Sequence, residues 1–388
     1  MEVLDLTGER EMYTVEKAQE IAALIRENAK TLKKAILKTK TYNADVARII
    51  ATALAEAKAL EYLDLSDVLS GLSFDDAQLT CEVFAECLKD LELKYLDLSD
   101  NALGPKGVLS CKQLISGKKN LEVVLFNNDG MSVDSCKNLL DIVSETSPMN
   151  IKRIEFYNNM SGDAGAKHIS ELLTLLPHIE SFRWSSTRTN EEGALALCES
   201  LSHCPALRRL EIKDNYFGED CGEALSRAIE QMPHLEELVL VDLSLGDEGL
   251  LPVLRVLGER EASLRVLDVG YNDLTEESVQ AIRELMEKDE PLAKLEVLGL
   301  DENFLGSRCV CGLMKTLDAH CPLLRELRLK GNEIGPVAAG MVVKVEEGED
   351  GGAGLGQERD LGGGGGEHSE GIGGEGEELH AGKFGEQR

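Results

Sequence analysis

The sequence predicts an α/β solenoid, with a curved parallel sheet on the inside and helices on the outside. Three observations predict it: a recurrent apolar template, a near-constant spacing between its copies, and a helical pattern after each copy. The template LxxLxLxxN, with x any residue, fits Leu93–Asn101, Ile151–Asn159, Leu207–Asn215, Leu264–Asn272, Leu295–Asn303 and Leu324–Asn332. Weaker copies start at Leu32, Leu60, Leu121, Ile179 and Leu235. From Leu93 onward the starts lie 28, 30, 28, 28, 28, 29, 31 and 29 residues apart. Self-similarity at a fixed period is the mark of a stacked array.

Within each copy the alternation of apolar and polar residues has the period of a strand. A turn follows, often with glycine, and then a helix. In Gly162–His178 the apolar residues Ile169, Leu172, Leu173 and Leu176 fall at i, i+3, i+4 and i+7, one face of a helix. Strand plus helix at 28–29 residues, with Asn closing the strand, is the long leucine-rich repeat of the ribonuclease-inhibitor-like kind. One unit cannot bury its apolar face alone, so units stack. Asn101, Asn159, Asn215, Asn272, Asn303 and Asn332 are expected to form a ladder that satisfies backbone groups in the turns. The solenoid is expected over residues 1–344, with about 11–12 repeats. Residues 345–388 are Gly-rich and acidic, with too few large apolar groups to offset the entropy of ordering, and are expected to be disordered.

Composition narrows the function. The formal net charge of the 388 residues is −30, which disfavours nucleic acid and anionic membranes as partners and favours a basic protein surface. Aromatics make up only 4%, so the core must be mostly aliphatic. No apolar run reaches membrane-span length, and the N-terminus lacks a basic stretch followed by an apolar one, so no signal peptide is expected. The ten cysteines are scattered, with no zinc spacing, which points to free thiols in a reducing compartment. Neither a metal site nor a phosphate-cradling or hydrolase motif is found, so no cofactor is expected and a monomeric recognition scaffold is the expected type.

Template positions 3, 5 and 7 point to the concave face and position 8 lies on its rim. Position 5 carries Asp64, Asp97, Leu125, Glu155, Arg183 and Glu211, and position 8 carries Asp67, Asp100, Asn128, Asn158, Ser186 and Asp214. This acidic and amide line is read as a binding rim for a basic protein, against the plainer reading of a solvated face. Asn128 stands out because Asp129 takes the ladder position beside it, leaving Asn128 on the rim and free to present its amide. The unit from Leu60 is also long: 33 residues separate Leu60 from Leu93, and the extra length falls in Leu65–Asp76. Long repeat loops sit at binding faces.

Three stretches go beyond generic repeat chemistry: YLDLSDNALGPKG (95–107), FYNNMSGDAGA (156–166) and FRWSSTRTNEEGALAL (182–197). They resemble the Ran GTPase-activating protein family, its plant and algal branch above all, over most of residues 10–340. The resemblance implies a cytoplasmic protein, the nuclear periphery included, that is not itself an enzyme. It would speed GTP hydrolysis by the small GTPase Ran in its GTP form, in support of nucleocytoplasmic transport. It further implies that an asparagine on the rim, corresponding to Asn128, orients the GTPase's own glutamine. An amide suits that task because it donates and accepts at once. Partner contacts are expected from Asp67, Asp97, Asp100, Asp129, Glu155, Asn158, Ser186, Arg188, Lys213 and Asp214. The family's arginine in the long loop falls at Leu72, a departure that removes a charge-assisted hydrogen bond. Two alternatives stay open: a scaffold that binds Ran-GTP or another basic protein without activating it, and an unrelated ribonuclease-inhibitor-like or sensor protein.

Overall fold

The computed structural model describes residues 1–259, 263–288 and 292–340; the expected acidic tail from residue 345 lies outside them. Twelve strands form one all-parallel sheet in sequence order: Val3–Asp5, Lys34–Ile36, Tyr62–Asp64, Tyr95–Asp97, Val123–Leu125, Arg153–Tyr157, Ser181–Ser185, Arg209–Lys213, Glu237–Val241, Val266–Asp268, Val297–Gly299 and Glu326–Arg328. Each strand pairs with the next in strict template register, as in Asp64↔Asp97, Asp97↔Leu125 and Leu125↔Glu155. A helix returns the chain after nearly every strand and packs on its neighbours, which makes the leucine-rich repeat solenoid expected from the spacing. Among the described residues no helix is long and apolar enough to cross a membrane.

The template leucines fill the space between sheet and helices, and almost all are fully buried. All ten cysteines are unpaired and eight of them are buried, where they serve as small apolar fillers. In the middle of the solenoid, position 6 changes from aliphatic to aromatic. Phe126 stacks on Phe156 at 5.9 Å, and Phe156 meets Trp184 edge-on at 5.3 Å. This spine lies directly beneath the rim positions 128, 158 and 186.

The asparagine ladder forms as expected. Asn272 is typical: its Oδ1 accepts from the Leu243 and Leu245 N–H groups at 3.1 and 3.3 Å, and its Nδ2 donates to the carbonyls of Leu240, Val269 and Gly270. One short side chain thereby pairs five backbone groups that neither strand nor helix can satisfy. Asn272→Ala is expected to lower the unfolding free energy by about 3 kcal/mol, since it orphans several buried groups at once. Urea unfolding of the variant measures it; a loss below about 1 kcal/mol would mean that water replaces the ladder.

The N-terminal end holds two features the template did not reveal. The strand Val3–Asp5 adds to the sheet ahead of the first template copy. A second parallel pair, Glu11–Met12 with Lys40–Thr41, lies beside the start of the array. It supports the long loop, because Tyr42 N–H donates to Val68 O at 3.2 Å and Thr41 Oγ1 to Ser70 O at 2.8 Å.

Candidate functional site: the rim of the concave face

Each template strand leaves the sheet through a residue in the left-handed region. At position 8, φ is 52° for Asp67, 62° for Asp100, 56° for Asn128, 52° for Asn158, 52° for Ser186 and 48° for Asp214. Asp and Asn tolerate this conformation better than other non-glycine residues. Part of the acidic and amide line therefore has a backbone cause. The same turn stands these side chains up on the rim, each one strand spacing from the next.

Three of them are joined. Asn128 Nδ2 donates to Asp100 Oδ1 at 3.0 Å, and Asn158 Nδ2 donates to Asn128 Oδ1 at 2.9 Å. The backbone N–H of Asn128 is held by Tyr157 O at 2.6 Å. The amide of Asn128 is thus not free, as the spacing suggested, but anchored on both sides. One N–H and one lone pair remain for solvent or a partner. Anchoring fixes where those two groups point.

Asp129 corrects the expected partner set. It is fully buried, at 0% exposure, and takes the ladder place that Asn holds in other units. Its Oδ1 accepts from Asn101 N–H at 3.0 Å while Oδ2 has no partner. Burial pushes its carboxyl well above the usual carboxylate range, with Asp97, Asp100 and Cys81 adding to the shift and the Asn101 hydrogen bond opposing it. A group so placed cannot touch another protein. Glu155 is corrected too: it is buried, with its Oε1 2.5 Å from Arg153 and its Oε2 3.9 Å from Arg183. Lys213 leans on Glu211 at 3.5 Å, so its charge is likewise shared.

Further along the rim, Asp214 and Arg188 are exposed, and Ser186 is half-buried. On the concave floor Asp64 and Asp97 stand side by side. Burial, opposed by the Ser99 hydrogen bonds and aided by Asp64 and Asp100, pushes the Asp97 carboxyl up to about 6. Beside them Tyr62 and Tyr95 stack at 3.9 Å with Lys34 Nζ 3.9 Å above the Tyr62 ring.

The long loop is docked rather than projecting. Val68 and Leu69 are buried, Gly71 makes the turn at φ 82°, and Leu72 is half-buried against the core. Leu72 therefore serves packing. An arginine does reach this end of the rim from elsewhere in the chain: Arg10, exposed, forms an ion pair with Asp67 across 57 positions of sequence. No local pattern marks Arg10, since only the pairing of Glu11–Met12 with Lys40–Thr41 brings it there.

The Leucine Rich repeat family matches residues 93–110, 262–282 and 320–342. The chain is 27% identical over 273 residues to the ribonuclease inhibitor of Sus scrofa, covering 68% of this chain and 58% of that protein. It is 33% identical over 116 residues to RAN GTPase-activating protein 1 of Arabidopsis thaliana, covering 30% of this chain and 22% of that protein. The chain thus spans less than two thirds of the length of either. Among solved structures, an internalin of Listeria monocytogenes aligns over 83% of this chain and 91% of its own, with 14% identity and a TM-score of 0.47.

Proposed function

We propose that this chain, a leucine-rich repeat protein, activates GTP hydrolysis by a Ran-type small GTPase and contributes no catalytic centre of its own. The observation that carries the reading is the anchored rim of Asp100, Asn128 and Asn158. A GTPase already holds Mg²⁺ and phosphates and needs its glutamine fixed against the attacking water. The free N–H and lone pair of the Asn128 amide can pair with a glutamine amide in one orientation, and the two anchors remove the entropy of finding it. The partial similarity to the Arabidopsis activator and the −30 charge support the reading. The partner would be the GTP-bound form, met in the cytoplasm. Rim contacts would come from the exposed members of the expected set, Asp100, Asn158, Arg188 and Asp214, with Asp67 shared with Arg10.

A second reading is a scaffold that binds a basic protein without activating it. Two observations favour it: the ribonuclease inhibitor similarity extends over more of the chain, and the loop carries Leu72 where the family resemblance calls for arginine. Single-turnover hydrolysis of GTP bound to Ran, with and without this chain, decides between them. Acceleration supports the first reading; tight binding without acceleration supports the second, and no binding at micromolar concentration removes both for Ran.

Leu72→Arg is expected to raise the stimulated rate several-fold if the loop contributes as the resemblance implies. Because Leu72 is only half-buried, the longer side chain can reach out along the surface, at a stability loss of about 1 kcal/mol. An unchanged rate with a folded variant means that the loop does not touch the GTPase.

A further inference from the structure

The C-terminal third of the same rim has a different character. Tyr216, Tyr271 and Phe304 are 57%, 48% and 61% exposed, although aromatics are scarce in the chain and the others are mostly buried. They lie at the strand exits of the units that start at Leu207, Leu264 and Leu295. Between them stand Asp214, Asp242, Asp273 and Glu302. None of these four carboxylates has an ion-pair or side-chain hydrogen-bond partner among the described residues. On the concave floor of the middle and C-terminal units, by contrast, Glu155, Glu211 and Asp268 are each held by arginine.

The residues form one surface. Backbone bonds link successive exits: Asp214 N–H to Val241 O, Asp242 N–H to Gly270 O, Tyr271 N–H to Asp301 O, and Glu302 N–H to Lys330 O. Neighbouring strands lie about 5 Å apart, so Asp214 to Glu302 covers about 15 Å, the reach of about five extended residues. The groups also sense one another. Burial raises the Asp242 carboxyl, and the charges of Asp214 and Asp273 raise it further. The Tyr271 hydroxyl is raised by burial and then by Glu302, Asp301 and Asp242. Position 8 itself holds Tyr271 at φ 58°, where Asp or Asn would be less strained.

We propose that this aromatic and acidic rim, from Asp214 to Phe304, is a docking surface for an extended Arg- and Lys-rich segment of a partner protein. Guanidinium and ammonium groups are attracted both to aromatic faces and to unpaired carboxylates, and the alternation of the two along the rim offers both to one chain. Free carboxylates at this density repel one another, and a cationic occupant relieves that repulsion. An apolar helix would leave the carboxylates unpaired, and an acidic segment would be repelled. The surface shares Asp214 with the rim contacts proposed above but includes neither Asn128 nor its two anchors, and the inference does not rest on the GTPase reading.

The test uses the full chain and a fluorescein-labelled peptide of alternating Arg and Gly, with fluorescence anisotropy and no GTPase present. Three proteins are compared with the parent: Tyr216→Ser/Tyr271→Ser/Phe304→Ser, Asp214→Asn/Asp242→Asn/Asp273→Asn, and a control of equal charge, Glu171→Gln/Glu199→Gln/Glu230→Gln, on the exposed helices. Both rim variants are expected to weaken binding about tenfold or more while the control stays within about twofold of the parent. The altered side chains are exposed, and circular dichroism checks that each variant folds. The proposal is overturned if the parent fails to bind at submillimolar concentration. It is also overturned if the aromatic variant binds as tightly as the parent, or if the control weakens as much as the acidic rim variant, which would mean attraction by net charge alone.

Discussion

Asn128→Ala is expected to reduce the stimulated rate of GTP hydrolysis by Ran about 100-fold, with binding weakened much less. The size follows from orientation: a fixed amide that aligns a glutamine and its water acts mainly on the chemical step, where a misplacement of about 1 Å costs about that factor. Stability should fall by less than about 1 kcal/mol, because the hydrogen bonds to Asp100 and from Asn158 are exposed and water replaces them. Rate and stability are thus separable in one variant. Single-turnover assays give the rate at saturating activator, and titration gives the affinity. A loss confined to affinity would make Asn128 a contact residue only, and an unchanged rate would remove it from the reaction.

Asp129→Asn is expected to stabilise the protein, and to do so increasingly as pH rises. The buried carboxyl of Asp129 is raised above its unfolded value, so the folded state holds a proton that the unfolded state has released above about pH 4. The sign follows: the contribution of this group is intact below the unfolded pKa and is lost as pH rises toward and through the folded one. In that window stability falls by about 1.4 kcal/mol per pH unit for one proton. Asparagine removes this dependence. By repeat equivalence its Oδ1 would keep the Asn101 N–H, and its Nδ2 would face carbonyls like those of Phe126 and Tyr157 that Asn159 pairs one unit later. Urea unfolding at pH 5 and pH 8 gives the comparison, with the variant gaining more at the higher pH. Asp97, which is present in both proteins and raised in the same direction, cancels to first order in the difference. An equal gain at both pH values would mean that Asp129 is ionised in the fold and that the cost lies elsewhere.

The two predictions concern adjacent residues with opposite fates, and the sequence distinguished them only halfway. The repeat period placed Asp129 at the ladder and Asn128 on the rim. That much was legible because the solenoid is built of local units, so position within the template settles which way a side chain points. The burial of Asp129 and its raised carboxyl depend on stacking against the preceding units, which bring Asn101, Asp97, Asp100 and Cys81 to it, and could not be read from its own neighbours. For Glu155 this holds of one partner only, since Arg153 lies two positions away in the same strand while Arg183 comes from the next unit. A position-5 acid is written as concave-facing by the template, but Arg153 and Arg183 enclose it.

By itself, then, the sequence determined the fold class, the parallel register and the asparagine ladder, since periodic burial and one recurrent amide leave a single way to stack. It also marked the long unit from Leu60, because spacing is countable. Only the tertiary structure decided which rim groups remain available. The long loop folds back on Lys40–Tyr42, which turns Leu72 inward, and a short strand pair brings Arg10 to Asp67. Asp100 and Asn158 clamp Asn128 from units before and after it. The physical reason is common to all of these: each rests on contacts between units, across 26 positions or more, where charge and hydrogen-bond partners are set by stacking rather than by the local pattern.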